Sequence, residues 1–381
     1  MPIAPASRAD KDRMLHRAGN ALLTTRAVRD QTRDKRKVYL DRFKAWLWQE
    51  KGISFRHLME TRPADPEKIS GVLVDYGREL YAAGKAYGIF AETINAVAVE
   101  RPLIRRQLNG AWDLAFCWLA DEPHQHHPAL PISIMAALVT AALTWGWAYE
   151  ASVILTGWTG VLRIGEILAA TRAELVLPCD SAPGTSFALL VIRQPKTRGR
   201  SAKHQAARID QEDVVAFLTA MYAKADRSAR LWPYSASTLR KRFTQLLTAL
   251  RLPTKKDGDS RPFDLGSLRP GGATWLLHQT ESPELVRRRG RWMSMRTCEI
   301  YLQEVLVTTY LEKLDKRARD RILLFAGGYA ETLEQCVTFL EHGIPLASWF
   351  FLLRGAGDPM KTAGKSGSYG GFESFQPTNT G

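Results

Sequence analysis

Apolar positions recur at helical intervals through most of the chain. Tyr39, Phe43, Trp46 and Leu47 follow an i, i+4, i+7, i+8 pattern, and Ile69, Val72, Leu73, Tyr76 and Leu80 repeat it after a proline break at 63–66. A third stripe joins Ile104, Leu108, Trp112, Ala115 and Leu119. Together they predict a small all-helical domain over residues 36–120, preceded by a basic extension, 1–35. Prolines 123, 128 and 131 mark residues 121–131 as a linker. A second region, 132–310, opens with an apolar helix and continues into another around 153–170. Residues 187–193 (FALLVIR) form a short, partly β-branched run that predicts a strand, with 206–209 as its return strand. Helical stripes resume at Val214, Val215, Leu218 and Met221, with Asp210 as the expected N-cap. Another runs through Leu239, Phe243, Leu246, Leu247 and Leu250, capped by Ser235 or Ser237. Residues 311–381 read as an extension: 302–325 can be helical, 343–357 hold an apolar knot, and the Gly/Ser-rich end from Gly364 is expected to be disordered. The expected fold class is mainly α with a small β-sheet.

One segment tests the assumption that this chain stays out of membranes. Residues 128–149 carry no charge and approach the roughly 20 apolar residues that span a bilayer. Pro131, Ser133, Thr140, Thr144 and Gly146 dilute the run, and Glu150 follows it directly. A buried helix is the expectation, and no membrane partner.

Composition narrows the partners. The 381 residues are 45% hydrophobic and 24% charged, a globular balance. Lys plus Arg number 53 against 39 acids, a formal charge of +14, which calls for an anionic partner, nucleic acid first. The four cysteines show no C-x-x-C spacing, which argues against a zinc ribbon or a disulfide scaffold and suits a reducing compartment. The first eleven residues have no apolar core and do not read as a secretory signal. The run RDKRK at 33–37 suits phosphate contact or nuclear import, or is simply solvated. His124, His126 and His127 lie among prolines with no thiol or carboxylate at ligand spacing, so they are expected to be solvated loop residues rather than metal ligands.

Phosphate-loop, zinc-hydrolase and serine-hydrolase motifs are all missing from the sequence. What remains are arginines in apolar settings. Arg163 lies in TGVLRIGEIL, where a partly buried charge needs a partner, and Glu166 is three residues on. Arg269 lies in FDLGSLRPGGATWLL, with Pro270 starting an expected helix. The segment GRWMSMRTCEIY carries Trp292 and, nine residues later, Tyr301. Lys196 sits at the tip of the expected hairpin in RQPKTRG. Basic runs follow at Arg193, Lys196, Arg198, Arg200, Lys203 and Arg208, at Arg240, Lys241 and Arg242, and at Arg287, Arg288, Arg289 and Arg291. Three such runs in one region suggest a surface that tracks phosphates.

These boxes, in this order and spacing, resemble the tyrosine recombinase and phage integrase family, most closely recombinases borne by mobile elements. The resemblance covers roughly residues 36–310. It implies a helical core-binding domain over 36–120 and a catalytic domain over 132–310. It further implies that Tyr301 attacks a DNA phosphate to form a 3′-phosphotyrosyl link. Arg163 and Arg269 would hold the non-bridging oxygens, Lys196 would protonate the leaving 5′-oxygen, and Trp292 would donate its indole N–H. Glu166 would orient Arg163. The covalent link conserves bond energy, so no cofactor and no metal are expected. The implied partners are double-stranded DNA and further copies of the chain, usually four on DNA, in an intracellular and, for a eukaryotic host, nuclear setting. The DNA-contact candidates are Arg198, Arg200, Lys203, Arg240, Lys241 and Arg242. Tyr310 is a rival nucleophile at the wrong distance from Trp292. One departure stands out: the second arginine box normally reads His-x-x-Arg, and Gly266 occupies the histidine position. The expectation is a slow enzyme that a histidine at 266 would accelerate, or one that borrows another group for the histidine's role. The alternatives are a relative that only binds DNA, or a monomeric topoisomerase of the same chemistry.

Overall fold

In the computed structural model, which describes residues 7–18, 28, 30–60, 65–123, 125–193, 195, 205–256 and 261–355, the helical stripes become helices that bury their apolar faces in two separate cores. Residues 1–124 and 125–381 form two units. In the first, α1 (Arg8–Arg17), α2 (Asp30–Lys51), α3 (Phe55–Glu60), α4 (Pro66–Ala82), α5 (Tyr87–Glu100) and α6 (Asn109–Asp121) follow in order. Asp65 caps α4 by accepting from the Lys68 amide at 2.9 Å, and Pro66 fills a first-turn position where no amide partner is lost. Phe43, Leu47, Ile69, Leu73, Phe90, Ile94 and Trp118 make the core. Gly77 lets α4 approach it closely, since a Cβ there would lie 2.6 Å from the Phe90 ring. The third stripe differs from expectation. Ile104 ends a 3-10 turn begun at Pro102, and Leu108 precedes α6, yet both are buried.

In the second unit, α7 (Ile132–Thr144), α8 (Ala148–Thr159) and α9 (Ile164–Ala169) lead into an antiparallel sheet of β1 (Leu175–Val176), β2 (Ala188–Ile192) and β3 (Gln205–Ile209). The sheet order is β1-β2-β3, and Leu190 faces Leu175 on one side and Ala207 on the other. Then come α10 (Glu212–Tyr222), α11 (Ala236–Ala249), α12 (Leu268–Thr280), α13 (Pro283–Arg289), α14 (Met295–Glu299), α15 (Glu304–Thr309), α16 (Lys316–Gly327), α17 (Tyr329–Glu341) and α18 (Leu346–Gly355). The fold is mainly α with a small sheet.

The uncharged run becomes α7, buried continuously from Ile134 to Leu143. Its 13 residues rise only ~20 Å, and no helix among the described residues is long and apolar enough to cross a membrane. What surrounds it is protein: α8 on one side and α16, α17 and α18 on others. Ile322, Phe325, Leu333 and Trp349 therefore belong to the same core as α7, and the packing shows no division at residue 310. The Gly/Ser-rich end lies outside the described residues. Ser235 caps α11, accepting from the Thr238 amide at 3.0 Å. Asp210 does not cap α10. Gln211 occupies that position without a side-chain bond, and Asp210 pairs with Arg208 at 2.5 Å and Arg289 at 2.6 Å.

Candidate active site

Three glycines let the chain close around α12. A Cβ on Gly271 would strike the Leu130 backbone, and one on Gly272 the Trp158 carbonyl, so α8 and the 127–130 segment can lie directly against this helix. The Leu130 amide donates to the Ser267 carbonyl at 3.2 Å, and Trp158 Nε1 donates to the Leu130 carbonyl at 3.2 Å. Gly290 plays the same part at the other end, because a Cβ there would lie inside the Trp292 ring. The pattern SLRPGGAT and the pair Gly290–Arg291 before Trp292 thus have steric reasons.

Glu166 is the centre of the charge cluster. It stands in the first turn of α9 and accepts from the Arg163 amide at 3.0 Å, from Arg163 Nη1 at 2.9 Å and from Arg291 Nη2 at 2.9 Å. Burial would raise its carboxyl, but Arg291, the Arg163 amide, and the Arg163 and Arg269 guanidiniums outweigh that and hold it below the ordinary range. Arg291 reaches this carboxylate from a left-handed backbone, φ +57°, and its Nη2 also meets the carbonyl of Val161, itself at φ +48°. A β-branched residue in that region is strained. Two non-glycine residues in the left-handed region, one of them β-branched, meet at the cluster and store strain there.

Arg269, only 4% exposed, donates one Nη2 bond to the Gly290 carbonyl. Its Nε and Nη1 are buried without a partner among the described residues, as is the Trp292 indole N–H. Burial first, then repulsion by Arg163 and Arg291, lowers its hold on its proton. A guanidinium nevertheless stays charged at neutral pH. Arg269 Cζ lies 4.7 Å from the Trp292 ring centroid and 5.6 Å from that of Tyr301. The two rings are 4.8 Å apart, in an apolar patch with Val161, Ala273, Val286 and Cys298. The Tyr301 amide donates to the Cys298 carbonyl, which fixes the backbone but leaves the hydroxyl without a bond among the described residues.

Of the residues singled out from sequence, Arg163, Glu166, Arg269, Trp292 and Tyr301 come together here. Lys196, Arg198, Arg200 and Lys203 lie outside the described residues. Arg291 joins the cluster although the sequence placed it only in a basic run; the signal was its place between Gly290 and Trp292. Arg240 and Lys241 are exposed on α11. Arg242 is not a free cation: it pairs with the buried Glu150 at 2.5 Å and stacks on Trp147 and Tyr234, with Cζ 5.1 and 5.0 Å from their centroids. Its side chain is 23% exposed. Tyr310 packs on Phe263, and burial raises its hydroxyl to about 12. No group of three metal-ligating side chains exists among the described residues.

His127 departs most from expectation. It lies in a loop and its side chain is 45% exposed, but it is not free: its ring covers Gly266, and its Nδ1 lies 2.7 Å from Asp264 Oδ1. A side chain at 266 would collide with this ring. A histidine introduced there therefore meets an imidazole already in place and would have to displace it.

No family model matches the chain, and no curated protein matches it. Similar solved structures include the Tn1549 transposon integrase in complex with transposon right end DNA, at 12% identity and TM-score 0.47, covering 80% of this chain and 98% of that one. The XerH site-specific recombinase bound to palindromic difH substrate aligns at 12% identity and TM-score 0.46, covering 85% of each chain. A lambda integrase dimer bound to a COC′ core site aligns at 16% identity and TM-score 0.43, covering 77% of this chain and 94% of that one. These TM-scores are all under 0.5, and the site's own residues carry its function.

Proposed function

We propose that this chain breaks and rejoins DNA strands through Tyr301, as a tyrosine recombinase of a mobile element. The observation that carries the reading is the unbalanced cluster. Two guanidiniums bind one carboxylate and a third adds its charge, and Arg269 keeps two buried N–H donors unpartnered beside a tyrosine whose hydroxyl is free of hydrogen bonds among the described residues. Unpaired donors in a buried, net positive site are costly unless an anion completes them. A phosphodiester does so, and charge-assisted bonds from planar guanidiniums strengthen as its oxygens gain charge in the transition state.

The chemistry follows. The Tyr301 oxygen attacks phosphorus, the P–O5′ bond breaks, and the 3′ end remains on tyrosine. The 5′-oxygen leaves with a proton, which Lys196 is expected to supply. Reversal by another 5′-hydroxyl rejoins the strands, with bond energy kept in the phosphotyrosine. Arg240 and Lys241, exposed on α11, suit contact with flanking phosphates. Synapsis of four copies on double-stranded DNA completes the reading. Gly266 favours a second one, a chain that only binds DNA. The test is covalent trapping on nicked duplexes from a random-sequence pool enriched on the chain: a nick lets the released 5′ fragment diffuse away. A DNA–protein link lost in Tyr301→Phe supports recombinase chemistry. Tight binding with no link supports the second reading.

A further inference from the structure

The second arginine segment lacks an imidazole in sequence, yet one lies over it in space. A Cβ built on Gly266 would be 2.5 Å from both Nδ1 and Cε1 of His127 and 2.7 Å from its Cγ. His127 comes from 139 positions earlier in the chain. Three sets of bonds hold it there. Asp264 Oδ1 meets Nδ1 at 2.7 Å and also accepts from the Gly266 amide at 2.7 Å, while Asp264 Oδ2 accepts from Arg261 Nη2 at 2.9 Å. The Leu130 amide bonds Ser267, next to Gly266. Gln303, two residues past Tyr301, donates its Nε2 to the His127 carbonyl at 2.9 Å and accepts from the Ala129 amide at 2.9 Å. Thr274 Oγ1 then ties the Tyr301 carbonyl, at 3.2 Å, to the Gln303 amide, at 3.1 Å. His127 is thus stitched both to the turn that starts the Arg269 helix and to the segment that carries the nucleophile.

The chemistry of the pair is directional. In the neutral imidazole, a carboxylate on Nδ1 fixes the tautomer with the proton on that nitrogen and leaves Nε2 a lone pair. Burial would raise the Asp264 carboxyl, but His127, the Gly266 amide and Arg261 outweigh it and keep it ionised. The imidazole is 45% exposed, so a bound backbone phosphate can reach it. Besides Asp264, the charged group on this dyad is Arg261, whose Nη1 also donates to the Gln125 carbonyl.

We infer that His127, held by Asp264, is a further catalytic residue: its Nε2 is the proton-transfer group that Gly266 cannot be. This rests on the recombinase reading. As the Tyr301 oxygen bonds phosphorus and the P–O5′ bond breaks, the phenolic proton passes to Nε2. On rejoining, Nε2 returns it to the tyrosine oxygen. The 5′-oxygen exchanges its own proton with the separate acid, so protons balance in both directions. Gly266 is then not a lesion but the space that His127 requires.

The test is the single-turnover rate of covalent linkage to the enriched nicked duplexes. His127→Ala should link ~10²–10⁴-fold more slowly, the usual contribution of a positioned acid–base group, and added free imidazole should restore part of the rate. His127→Asn, which keeps a donor for Asp264 but has no base, should be folded by circular dichroism and similarly slow. The neighbouring, exposed His126→Ala should link at the unmodified rate. A folded His127→Ala or His127→Asn that links at full speed overturns the inference while leaving Tyr301 chemistry intact. So does a slow His127→Ala that imidazole does not rescue. If the unmodified chain forms no link that depends on Tyr301, the recombinase reading fails and this inference with it.

Discussion

Two buried carboxylates in the second unit each meet arginine, and the difference between them separates structure from chemistry. At Glu150, one arginine faces one carboxylate. Arg242 reaches it at 2.5 Å and spends its remaining surface on Trp147 and Tyr234. The charges balance, and burial outweighs Arg242 so that the Glu150 carboxyl sits above its ordinary range. At Glu166, Arg163 and Arg291 both bind the carboxylate, Arg269 adds its field, and the carboxyl is held low. One pair is satisfied by what the chain provides. The other has more positive charge than its own acid can answer, and unpartnered N–H donors on the arginine nearest the tyrosine. A stabilising device ends with its bonds made, whereas a binding device ends with donors left over.

The sharpest break in this comparison is chemical. Arg269→Ala should remove covalent linkage by more than ~10²-fold, the effect of deleting one transition-state donor. Arg242→Ala should leave the linkage rate of the folded protein unchanged. Single-turnover trapping on the same DNA measures both, and equal losses would erase the distinction between the two sites.

Stability comes next. Glu166→Gln leaves Arg291 nearly buried without a counter-charge and should cost about 3–5 kcal/mol. Glu150→Gln removes one charged hydrogen bond but relieves a buried acid, and should cost about 1–2 kcal/mol. Urea unfolding of the two variants gives the order, and the reverse order would refute the charge accounting.

Gly266→Ala tests the steric part. Its methyl must displace the His127 ring, at a cost of about 1–3 kcal/mol for overpacking, and linkage should slow with it. An alanine variant with unchanged unfolding midpoint and rate would mean the ring yields freely.

The pH dependence is a finer test. Glu166 titrates lower when folded than unfolded, so its stability contribution is present above the ordinary carboxylate range and is lost as pH falls through the folded value. Glu150 titrates higher when folded, so its contribution is present below 4.5 and is lost as pH rises through the folded value. Unfolding free energies of the two glutamine variants, taken against the unmodified protein from acid to neutral pH, should therefore diverge from it in opposite directions.

The smallest expected effect concerns DNA binding. Reversing Arg240 and Lys241 to glutamate should flatten the salt slope of duplex affinity by about 0.9 for each phosphate they no longer neutralise. Arg242→Ala should leave that slope in place. A slope near zero in the unmodified protein would remove the DNA reading altogether.

The sequence by itself determined the helices with clean stripes and the β2–β3 pair, and singled out five residues that the fold brings together. Those signals are local: period, caps, and charged residues flanked by apolar ones carry their meaning wherever the chain goes. α5 left no stripe because it is buried on most sides, and α7 resembled a membrane segment because α16–α18 cover it. A run read alone does not tell protein from lipid. Arg291 and His127 were decided by the tertiary structure alone. Arg291 needs a left-handed turn to reach a carboxylate 125 positions away, and His127 needs the close approaches at Gly266 and Gly271 to settle on the turn before Arg269. A missing side chain is legible as Gly266 in the sequence. That the space is already filled depends on what the fold brings back from far along the chain.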